Sequence, residues 1–172
     1  MEKIKTLAIN RERTLVLAQF GILLSIALIA PFIGQQAITG AIVNATLFIS
    51  TALLGIEAGV LIGLIPSAIS LSVGLLPAAL APMVPFIILG NAILAVVFGY
   101  LKEKNYWLAI FSASLLKFLF LFNASSMVIN LLLKKEVAGQ VALMMSWPQL
   151  FTALSGGLIA YLFLRLCKKT NQ

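Results

Sequence analysis

Apolar residues fall in six long runs, parted by short breaks that are polar or rich in glycine and proline. A helix needs about 20 apolar residues to cross a ~30 Å hydrocarbon core, so each run predicts a spanning helix. The spans lie at about 14-33, 37-54, 57-76, 83-101, 106-133 and 148-167. Between them come Pro31 to Gln36, a tight turn over Gly55 to Gly59, the three-proline stretch Leu76 to Pro85, Lys102 to Asn105, and Lys134 to Trp147. Pro66 is expected to kink the third helix, and Pro148 suits the first turn of the sixth. Part of Lys134 to Trp147 reads as a short interfacial helix, with Trp147 at headgroup level.

The fifth run, YWLAIFSASLLKFLFLFNASSMVINLLL, departs most from a plain apolar span. At a helical period Asn123, Ser126 and Asn130 form one polar stripe, with Ser112 near the same direction. Hydrocarbon offers such groups no partner, so the stripe is expected to face protein or water and to line a site. Lys117 lies roughly 120° round the helix from Asn123 and is a separate signal. It is left open between a partner for an anionic group, a contact to a neighbouring subunit, and a side chain that snorkels to the interface. On the second span Asn44 and Thr51 give a weak polar face, read as hydrogen bonding between helices.

Composition narrows the class. Of 172 residues 62% are hydrophobic and 10% charged, and mean hydropathy is +1.10, which marks an all-α integral membrane protein with a single membrane domain over residues 1-172. The basic lead-in Met1 to Arg13 is expected to start a span that stays in place, not a cleaved signal. Histidine is absent and the acids number five, so no catalytic or metal-ligating set is assembled, and neither enzyme activity nor a cofactor is expected. Cys167 is the only cysteine, which leaves no internal disulfide. The net charge of +7 reflects cations at span ends, where anionic lipid explains them better than nucleic acid does.

Six spans put both termini on one side of the membrane. That side collects Lys3, Lys5, Arg11, Arg13, Lys102, Lys104, Arg165, Lys168 and Lys169; the other has Lys134 and Lys135. The positive-inside bias then places both termini in the cytoplasm. In that topology Asn123, Ser126 and Asn130 rise toward the outer face, Trp147, Gln149 and Thr152 descend from it, and Asn91 lies near mid-depth. These seven residues are the candidate substrate-binding set, closed above by the outer loops and suited to a small neutral or zwitterionic ligand. On the first span Ala18, Gly21 and Ser25 form a smooth face for close helix packing. No Walker-type phosphate loop occurs, so active transport would need partner subunits.

The stretch TGAIVNATLFISTALLGIEAGVLIGLIPSAISL and the continuation PFIILGNAILAVVFGYLKEK resemble the membrane-embedded S components of energy-coupling factor transporters. The resemblance runs from about Thr14 to Leu166 and rests on glycine and hydropathy patterning. It implies capture of a vitamin or similar micronutrient from outside by the outer loops and spans four to six. It also implies docking of the first helices onto a transmembrane coupling subunit driven by two ABC-type ATPases. In the family a small-xxx-small motif of the first span makes that contact; Gly21-xxx-Ser25, with Ala18 a turn earlier, is the nearest match here. The competing reading is a non-transport scaffold resembling the small multispan protein of the rod-shape-determining system, in which the asparagines would only pair helices. A third, a small membrane enzyme, predicts clustered acids, histidines or arginines at one interface, and the chain lacks them.

Overall fold

The computed structural model describes the backbone of residues 2–74, 78–132 and 135–170, and the side chains of 11–74, 80–131 and 138–167. The expected ends of the third span at Leu76 and of the fifth at Leu133 lie outside them. So do the side chains of Lys3, Lys5, Lys134, Lys135, Lys168 and Lys169.

Seven α-helices make up the described chain: α1 (Glu2–Ile29), α2 (Gln36–Leu54), α3 (Ile56–Ser72), α4 (Val84–Leu101), α5 (Tyr106–Leu132), α6 (Lys135–Met144) and α7 (Trp147–Thr170). Short 3-10 turns, Ala30–Ile33 and Ala78–Met83, follow α1 and precede α4. Five helical stretches are long and apolar enough to cross a membrane: Arg11–Ile33, Gln36–Leu54, Leu80–Leu101, Tyr106–Leu131 and Ala138–Cys167. The remaining expected span, α3, is apolar but has only 17 residues. Large apolar side chains such as Leu17, Ile22, Phe111 and Leu162 stand exposed around the bundle, as they would toward lipid. Tyr100 and Trp107 are exposed at one end and Trp147 at the other, the arrangement of interfacial aromatic belts.

α2 is the central helix. Every residue from Asn44 to Thr51 is buried, and α2 packs on α1, α3, α4 and α7. The α2–α3 turn is narrower than expected. Gly55 alone breaks the helix, with φ +98°, a conformation that costs a side-chain-bearing residue and not glycine. At that end Lys102 donates from Nζ to the carbonyls of Thr51 (3.1 Å) and Ala52 (3.2 Å), which satisfies acceptors that the end of α2 leaves open. Pro66 stays inside α3 and is buried.

Two apolar clusters hold the bundle. The larger runs through α1, α2, α3, α4, α5 and α7, with Phe48 edge-on to Phe98 at 4.8 Å and Phe98 edge-on to Tyr106 at 5.3 Å. The smaller joins the turn before α4 (Leu80, Met83) to α5 (Leu121, Val128) and to the α6 end (Val141, Met145). That second cluster pins α6 and the proline-rich turn over one end of the bundle. The expected short helix in Lys134 to Trp147 is thus α6, packed onto α5, the turn and α7.

Candidate functional site

A cavity of about 270 Å³ opens at the end of the bundle covered by α6 and the turns before α2 and α4. Its mouth is formed by Pro31, Gly34 and Gln36, by Leu80, and by Met144, Met145 and Gln149. Val43, Val84 and Ile87 give apolar walls, Ser67 and Ser70 face it from α3, and its deep end is Asn44, Asn91 and Lys117. These three lie about 10–16 Å along α2, α4 and α5 from the helix starts, near mid-depth.

The three residues are each nearly inaccessible: Asn44 2%, Asn91 2% and Lys117 3% exposed. Lys117 Nζ donates to Asn44 Oδ1 at 2.6 Å and to Asn91 Oδ1 at 2.7 Å. Each amide then donates onward, Asn44 Nδ2 to Thr152 Oγ1 at 3.4 Å and Asn91 Nδ2 to the Gly63 carbonyl at 3.0 Å. Thr152 Oγ1 in turn donates to the Gln149 carbonyl at 3.2 Å. Both amide oxygens are therefore turned to the ammonium, and the network ties α2, α4 and α5 to α3 and α7. The only ion pair among the described residues, Lys102 with Glu103 at 3.8 Å, is at the opposite end.

Glycines permit this geometry at two points. A Cβ on Gly63 would stand 2.8 Å from Asn91 Cβ, so only glycine lets α4 close to hydrogen-bond range of that carbonyl. A Cβ on Gly156 would stand 2.7 Å from both Asn44 Cβ and the Ala45 nitrogen. α7 thus seats directly against the turn of α2 that carries Asn44.

The residues singled out in the sequence divide. Asn91 and Gln149 line the cavity; Thr152 is buried behind its wall and steadies Asn44. Gln149 Nε2 and Gln36 Nε2 both donate to the Met144 carbonyl, at 3.1 and 2.9 Å, and so fix the α6–α7 junction at the mouth. Trp147 is 64% exposed and packs beside Phe151 outside the cavity. Asn123, Ser126 and Asn130 are exposed on the outward face of α5. Asn123 donates back to the Leu119 carbonyl (2.7 Å) and Ser126 to the Phe122 carbonyl (3.1 Å). Asn123 lines an outer groove with Phe86 and Phe120, apart from the Lys117 network. Ala18, Gly21 and Ser25 lie exposed on α1, and nothing stands within 4 Å of a Cβ built on Gly21.

Lys117 and Asn44 are the residues that join the site without having been assigned to it. The buried positions of α5, Ala109, Ile110, Ala113, Ser114, Lys117, Leu121, Ala124, Ser125 and Val128, follow one face at three- and four-residue steps, and most of them have small side chains. That small-residue rhythm is the inward face, and Lys117 sits on it. No family model, curated protein or solved structure matches the chain.

Proposed function

We propose that the chain is the membrane-embedded substrate-binding subunit of an energy-coupling factor type importer. It spans a prokaryotic plasma membrane six times, with both termini cytoplasmic, and captures a vitamin-like micronutrient from outside. The observation that carries this reading is the cavity itself: a chamber with a polar deep end, reaching mid-depth from one end of an otherwise apolar bundle. A helix-packing network alone would need no such chamber, and an ammonium inside the membrane is a functional centre by default.

Charge supports the direction of opening. Arg11, Arg13, Lys102, Lys104 and Arg165 belong to the end away from the cavity, so the positive-inside bias turns the mouth outward. The exposed small-residue face of α1 supports the docking part of the reading, since α1 is the least buried of the five long apolar stretches. In this mechanism the ligand enters past the two glutamines and settles between α2, α3, α4 and α5. The turns and α6 close over it, and the loaded subunit reorients when partner ATPases act on a coupling subunit held at α1.

Purification of the tagged chain from its own host's membranes, with mass spectrometry of the proteins that accompany it, tests the assignment. A transmembrane coupling subunit with paired ATPases is the expected result. Recovery with cell-wall or division proteins instead would overturn it in favour of a scaffold.

A further inference from the structure

We infer that the ligand of this cavity is a small monocarboxylate with an apolar body, its carboxylate docked on Lys117 Nζ. The inference rests on the proposed binding role and names the class of substrate that the site would take.

Protonated, Lys117 has three donors in tetrahedral array. Two are taken by Asn44 Oδ1 and Asn91 Oδ1, while Lys117 also borders the cavity, so the third is left for whatever enters. Both protein partners are neutral amides, and among the described residues no carboxylate pairs with Lys117. A buried cation without a counter-charge is costly, and an anion supplied by the ligand removes that cost on binding.

The charge inventory sets the size of the anion. Asn44 Nδ2 and Asn91 Nδ2 each spend one of their two N–H groups, on Thr152 Oγ1 and on the Gly63 carbonyl. The deep end therefore offers a single cation with neutral amides beside it, and only hydroxyls, Ser67 and Ser70, farther along the α3 wall. One carboxylate matches that supply. A phosphate dianion would keep an unbalanced charge beside that single cation in low dielectric. Above the deep end Val43, Val84 and Ile87 present hydrocarbon, which suits an apolar body, and about 270 Å³ restricts it to a small one.

The test is thermal-shift titration of the full chain in mild detergent with hexanoate and benzoate, each beside its primary amide, and with inorganic phosphate. The acids are expected to act at concentrations about 10- to 100-fold below their amides and below phosphate, the range of a charge-assisted hydrogen bond. In Lys117→Gln that difference should vanish. Acid and amide acting alike, phosphate matching the acids, a difference that persists in Lys117→Gln, or no response to any acid would each overturn the inference. The acid–amide comparison uses the unaltered chain, so it decides even if the variant does not fold. Acid selectivity in a chain that brings down no coupling subunit would leave the carboxylate site standing and remove the importer; partners without acid selectivity would do the reverse.

Discussion

At the scale of single residues the site is a lysine held open by two asparagines. Asn44 and Asn91 do not need to touch a ligand to matter, because their oxygens decide where the ammonium points. Replacing Asn91 by alanine removes one acceptor from a buried cation and leaves the Gly63 carbonyl without its side-chain donor. Thermal unfolding in detergent should register a loss of about 1–3 kcal/mol. Asn123→Ala, by contrast, removes only an exposed side chain bonded to its own helix, and neither stability nor ligand binding should change by more than about 0.5 kcal/mol. A large loss of binding in Asn123→Ala would return that residue to the site.

This contrast explains what the sequence made legible. Asparagine and serine inside an apolar run signal polarity that must be satisfied, but not by whom. Here Asn123 and Ser126 of the α5 stripe donate to carbonyls one turn back, so they can face outward without a partner on another helix. Asn91 was legible because a mid-span asparagine has few such options. Lys117 and Asn44 are 73 residues apart and meet only through the register of three packed helices, which no local pattern encodes.

At the scale of helices, glycine placement sets that register. Gly63 and Gly156 bring α3 and α7 close enough that the asparagines reach their partners. Gly156→Leu would drive a side chain into the backbone of α2 beside Asn44 and should destabilise the fold by about 1–3 kcal/mol. Gly21→Leu meets open space and should leave melting and ligand binding unchanged. If α1 is the docking helix, the same variant should lower uptake in cells and the yield of the assembled complex. Loss of ligand binding in Gly21→Leu would contradict that division between α1 and the rest of the bundle.

The helices themselves were largely readable, since runs of about 20 apolar residues leave few alternatives to a helix in lipid. Less readable were the ends. Gly55 alone makes the turn that the pattern spreads over five residues, and α6 required a packing surface on α5 that only the folded chain supplies. Hydropathy reports burial in something apolar, and cannot separate a lipid-facing side from a protein-facing one. That is why the apolar helices could be read from the pattern while most of the cavity lining could not.

At the scale of the whole molecule the account stands on polarity across the membrane: the cavity at one end, most described cations at the other. A membrane-impermeant thiol reagent applied to intact cells measures this directly. Cys167 is exposed at the cation-rich end, and Gln35 is exposed beside the cavity mouth. Gln35→Cys in a Cys167→Ser background should label from outside, while the unaltered chain, with Cys167 alone, should label only after the cells are permeabilised. The reverse pattern would put the mouth in the cytoplasm and contradict capture of a ligand from outside.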